Sequence, residues 1–252
     1  MVRWEASDWA DEMWYATGRD RPTGRGVLHA CAVIWSPLWC LHLLAQCKSS
    51  MQWLGAVLFL FSSVWLFTGS ALYHRYKWTV NQEVISAKLD YLGIFLMIAF
   101  SLGPAYTLLL PPALGMTVIS MLALTVLAGV WLIMSDVAVS RVQITLTFVA
   151  QGAIQCIPLF TTLLSEQSIV SQLHAGEIRS LVAIGSLYLV GAVVYSSQRP
   201  NPIPKAFGFH EIWHSIIVAA AALTYSLNFS IISRRLTFYH HLALQGTPTS
   251  PF

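Results

Sequence analysis

Seven stretches of this sequence, residues 26–47, 51–73, 91–110, 112–134, 142–164, 180–197 and 215–232, contain no Asp, Glu, Lys or Arg. Each matches the roughly 17–25 apolar residues that cross a hydrocarbon core. No water reaches backbone N–H and C=O groups inside a bilayer, so a spanning segment must satisfy them within itself, as a helix does. The pattern predicts an all-α fold, a polytopic membrane protein built as one bundle of seven transmembrane helices. Composition agrees: 56% of the 252 residues are hydrophobic and only 10% charged, with a mean hydropathy of +0.62, whereas soluble domains run at about 45–50% apolar.

The connections are short and carry turn or charge signals: Lys48 to Ser50, Pro111 with Pro112, Asp136 to Arg141, Glu166 to Arg179, and Arg199 to Lys205. An odd number of spans puts the termini on opposite sides, and the excess of Lys and Arg selects the cytoplasmic side. Ten of the fourteen lie with the N-terminus and four on the other side, so the N-terminus is expected in the cytoplasm and the C-terminus outside or in a lumen. Residues 1–25 read as a cytoplasmic tail, 26–232 as the membrane domain and 233–252 as a C-terminal tail. The first 25 residues lack the apolar core of a cleavable signal peptide, so the first span is expected to direct its own insertion into the plasma membrane or an endomembrane.

The formal charge of +3 reflects topology. No basic stripe with interleaved aromatics is present, which argues against a nucleic-acid partner. Cys31, Cys40, Cys47 and Cys156 fall inside or at the end of spans without CxxC spacing and read as small packing residues. Trp4, Trp9, Trp14, Trp53 and Trp78 are expected at the membrane interfaces. The run Ala219–Ala222 would let the last helix pack closely on a neighbour.

Against this apolar background the stretch GFHEIWHS, residues 208–215, stands out. Residues four apart share a helical face, so His210 and His214 project side by side as a bidentate metal grip. HExxH is also the pattern of zinc proteases in which the glutamate, here Glu211, is the general base. A histidine pair at a helix entrance is equally compatible with hydration in the headgroup region. A zinc site needs at least a third ligand, and a catalytic one also an open position.

The second span ends, and the third and seventh begin, on the same side of the membrane. His74, Asp90, His210 and His214 therefore come to one face, with Ser70 one turn deeper than His74. His29 opens the first span on that side and could stand behind the ligands, while His42 lies nearer the opposite side. His174, His240 and His241 read as solvated imidazoles, Glu83 as a loop residue, and Asp136 as a helix-end carboxylate.

SxxxH at Ser70 and His74, Asp90 at the start of the third span, and HxxxH at His210 and His214 resemble the hemolysin III branch of the progestin and adipoQ receptor family. RPTGRGVLHA before the first span, GSALYHRYKW after the second and QRPNPIPKAFGFHEIWH into the seventh are similar to the bacterial-type members, so the resemblance covers the whole chain. Tyr91 stands where those members commonly have His, Lys205 where Gly is frequent, and IAFSLGPAYT at 98–107 replaces their Gly-Thr-Tyr-Thr-Pro run.

The resemblance implies a cytoplasm-facing zinc on His74, His210 and His214, with Asp90 and Ser70 around the metal's water. In the wider superfamily, which includes the alkaline ceramidases, such a site is associated with hydrolysis of lipid amides. A ceramide-like or other acyl lipid is then the expected substrate or ligand. Three functions follow as expectations: a zinc-dependent lipid amidase using Asp90 as proton acceptor; a receptor-like or pore-forming protein with a structural zinc; and an intramembrane protease using Glu211. Glu211→Gln should abolish the protease and spare the amidase, and Asp90→Asn should do the reverse.

Overall fold

The computed structural model describes residues 20–135, 139–161 and 172–244, with Trp14 and Gly18 of the preceding segment; for 159–161 and 235–244 it describes the backbone alone. Trp4, Trp9, Asp136 and Glu166 lie outside the described residues, as do the side chains of His240 and His241. The described chain is all-helical: α1 Val27–Ala45, α2 Ser50–Arg75, α3 Val80–Phe100, α4 Gly103–Leu109, α5 Pro112–Met134, α6 Arg141–Thr161, α7 Ala175–Ser197 and α8 Phe209–Leu244. With α3 and α4 stacked into a single crossing, these make seven passes, and six of the crossings are apolar enough to be recognised by hydropathy alone. The chain is a multi-pass integral membrane protein.

Local signals mark the boundaries. Ser49 opens α2 with a capping box, its hydroxyl accepting from the Gln52 N–H while the Gln52 side chain accepts from the Ser49 N–H. Glu177 caps α7 by accepting from the His174 N–H at 2.8 Å. Pro112 occupies the first turn of α5, where its missing N–H is not needed. Helices overrun the charge-free windows because their ends lie among headgroups, where charge is tolerated. Thus α3 begins eleven residues before Tyr91, and Glu83, expected in a loop, sits buried in its first turn and accepts from the Trp14 N–H.

The third crossing is the axis of the bundle. In its most apolar window 78% of residues are buried, against 22–44% for the other five apolar crossings. It is also broken: α3 stops at Phe100, and Ser101–Leu102 lead into α4, whose second residue is Pro104. The Ser101 carbonyl accepts a hydrogen bond from the Asn228 side chain of α8 at 2.8 Å, so the broken ladder is repaired by a neighbouring helix. Around this axis α2 packs on α1 and α3, and α8 on α7 and α1. Ala220 and Ala221, in the alanine run, are fully packed. Ile34, Leu124, Trp131 and Val193 point outward, as expected where lipid is the solvent. None of the four cysteines is bonded to another.

Candidate metal centre

α2 ends at Arg75 because the chain turns extended at Tyr76. The last carbonyls of that helix are taken up from outside it: Trp78 Nε1 donates to Leu72 and Tyr73, and the Arg21 guanidinium donates to His74 and Tyr76. His74, the penultimate residue, thereby sits fully buried at a fixed helix end. α8 starts at Phe209, and its first turn is capped from within, Glu211 accepting from the Gly208 N–H at 2.8 Å. His210 and His214 follow one turn apart on the buried face, each 3% exposed.

The ligand atoms of His74, His210 and His214 all lie within 4.8 Å of one another. The Nε2 atoms of His74 and His210 are 3.2 Å apart. Two imidazole nitrogens on one tetrahedral zinc, each at about 2.0–2.1 Å from the metal, stand about 3.3 Å apart. That pair already has ligand spacing, and the third ring is close enough to complete a buried three-nitrogen group. The donor set and its geometry fit a zinc ion, with His74, His210 and His214 as the residues able to hold it.

Asp90, from α3, places Oδ2 3.5 Å from His74 Nε2, with 15% of its side chain exposed. Ser70 lies one turn before His74, and its buried hydroxyl has no hydrogen-bond partner among the described residues. His29 stacks on His214, ring centroids 3.8 Å apart and planes 9° from parallel, and neither of its nitrogens is hydrogen-bonded to a described residue. The structure thus brings together all five residues singled out in the sequence, with His29 behind His214. It does not bring in His42, whose Nδ1 meets the Tyr225 hydroxyl at 2.7 Å, or the exposed His174.

From this cluster a cavity of about 440 Å³ leads into the bundle. Ser70, Asp90 and Tyr195 line its histidine end, and Ser101, Gln155 and Tyr188 line it deeper, among mostly aliphatic and aromatic walls. At the histidine end the hydroxyls of Tyr91 and Tyr195 are hydrogen-bonded at 2.6 Å, and the Arg141 guanidinium covers the rings of Tyr195 and Phe209. The sequence reading did not single out Tyr195, Arg141 or Arg25.

Glu211 does not line the cavity. Its Oε1 accepts from Arg25 Nε at 2.7 Å and its Oε2 from the Gly208 N–H. Both partners of this ion pair are buried. The available signal for Arg25 was the RPTGR motif beside an apolar span, an arginine without an evident role.

A family model described as haemolysin-III related matches residues 17–225, which include every residue of the cluster. An adiponectin receptor protein of Drosophila melanogaster is 29% identical over 160 residues, a match covering 58% of this chain but only 35% of that curated relative.

Proposed function

The chain belongs to the haemolysin-III related family, and from that membership and the grouping of its histidines we propose that it is a zinc-dependent hydrolase of amide-linked, ceramide-like lipids. The observation that carries the reading is the placing of a carboxylate, Asp90, 3.5 Å from a ligand nitrogen at the head of an apolar cavity. A bound zinc supplies Lewis acidity toward a carbonyl and lowers the pKa of water to about 7.

The chain's own residues supply the rest. His74, His210 and His214 would hold the metal as neutral imidazoles. The cavity holds the acyl chain and keeps bulk water from the reacting end. Asp90 accepts the proton of the attacking water and returns it to the departing amine. Ser70, whose hydroxyl has no hydrogen-bond partner among the described residues, donates to the carbonyl oxygen as negative charge builds there. The ten-to-four excess of Lys and Arg at this end supports a cytoplasm-facing site. Engagement of both Glu211 oxygens counts against Glu211 as the base of a protease.

The test is elemental analysis of the detergent-purified protein and of His74→Ala and His210→Ala, followed by fatty-acid release from a ceramide. One zinc per chain in the parent, its loss in both variants, and release that Asp90→Asn abolishes are expected. Zinc without release would favour a second reading, a structural zinc in a receptor-like or pore-forming protein. The receptor-like form of that reading draws on the similarity to the Drosophila adiponectin receptor protein.

A further inference from the structure

Three ligands from two helices must be held in register, yet α2, which carries His74, and α8, which carries His210 and His214, make little direct contact. α1 packs on both, and at the ends that carry the histidines the segment before α1 ties them together. Thr23 and Gly24 donate their N–H groups to the carbonyls of Lys205 and Ala206, extending the small Ile203–Phe207 bridge that leads into α8. Gly24 runs so close to the Ala206 carbonyl that a Cβ would collide with it. On the other side Arg21 donates to the carbonyls of His74 and Tyr76, and Arg75 donates to those of Thr23 and Arg25. Gly26 has a φ of +73°, and a Cβ there would lie 2.5 Å from Cβ of His74.

The contact that closes this strap is the ion pair between Arg25 and Glu211, the residue following His210. Arg25 is 5% exposed and Glu211 2%. The indole of Trp14 faces the Arg25 guanidinium at 5.0 Å from the ring centre. A strap that touches the backbone and Cβ of one ligand and bonds the neighbour of another fixes the distance between them.

We propose that Arg25 and Glu211 are positioning residues of the metal centre: the strap 21–26 sets the spacing of His74 from His210 and His214 and so sets the affinity and coordination geometry of the zinc. Glu211 of the HExxH pattern then acts as a latch rather than a base. The inference rests on the metal-binding half of the reading above and is independent of hydrolysis.

The experiment measures zinc affinity by chelator competition on the full chain, the melting temperature of the zinc-stripped protein, and the visible spectrum with cobalt(II) in place of zinc. The variants are Arg25→Lys, Glu211→Gln and the double Arg25→Met/Glu211→Gln, in which no buried charge is left unpaired. Glu177→Gln serves as a control, because Glu177 joins the opposite ends of α7 and α8 through Ser230 and Arg234.

The double variant is expected to bind zinc about 10–100-fold more weakly, the usual effect of losing a group that orients a ligand, and to lose the intense absorption of four-coordinate cobalt. Arg25→Lys should fall between it and the parent. The control should lower the melting temperature and leave zinc affinity unchanged. Zinc affinity within twofold of the parent in the double variant, or in Arg25→Lys and Glu211→Gln if the double does not fold, overturns the proposal. So does an equal loss of affinity in the control. A strap variant with weakened zinc beside a zinc-loaded parent that releases no fatty acid would leave the strap standing and remove the hydrolase.

Discussion

The Nε2 atoms of His74 and His210 lie 3.2 Å apart across 136 residues of sequence. The two facing nitrogens have room for at most one proton between them, and His214 adds a third nitrogen to the same space. A dication resolves that crowding. Zinc should therefore stabilise the folded chain by mass action, by about 2.7 kcal/mol at a hundredfold excess over its dissociation constant. The expected result is a melting temperature that rises with added zinc in the parent and not in His74→Ala or His210→Ala. A zinc-independent melting temperature in a folded parent would refute the site.

In the proposed hydrolase Asp90 and Ser70 act on substrate rather than hold the metal. Asp90→Asn should lower fatty-acid release by about 10²–10⁴-fold, the range for loss of a general acid–base. Ser70→Ala should lower it by about 10²–10³-fold, as for loss of one oxyanion donor. Zinc content should stay at the parent level in both. Equal loss of zinc and activity in Asp90→Asn would make Asp90 part of the metal's support instead.

Asn228 tests the fold separately from the site. Its amide satisfies the Ser101 carbonyl that the break in the third crossing leaves over. Asn228→Leu leaves that carbonyl unpaired within the bundle, at a cost of about 1–3 kcal/mol. A lowered melting temperature at unchanged zinc affinity is expected, and an unchanged melting temperature would mean that another group takes over the carbonyl.

The passes and the histidine cluster were legible in the sequence for one reason each. A bilayer forbids charge over a fixed length, so the apolar windows had to be crossings. Crossing parity then brought His74, Asp90, His210 and His214 to one side before any distance was known. The break at Ser101–Leu102 was not legible, because the Gly103–Pro104 pair lies inside a window that is apolar throughout, and its repair by Asn228 depends on packing. Arg25 was hidden for a related reason. A buried ion pair between residues 186 apart leaves no periodic trace, and Glu211 already carried a plausible role in the HExxH pattern.

Tyr91 occupies the position where bacterial-type members commonly have His, and here it is committed to Tyr195 through a 2.6 Å hydrogen bond between their hydroxyls. The pair joins α3, which carries Asp90, to α7, and both tyrosines line the cavity at its histidine end. Removing either hydroxyl alone leaves the other without this bond; removing both takes away the two partners together. Tyr91→Phe and Tyr195→Phe should each lower stability by about 1–3 kcal/mol, and the double variant by clearly less than their sum. A thermodynamic cycle on the zinc-loaded protein measures the coupling, which is expected at about 0.5–3 kcal/mol for residues in contact. Additive losses would mean that each hydroxyl is satisfied independently, and that α3 and α7 are held together at the cavity mouth by packing alone.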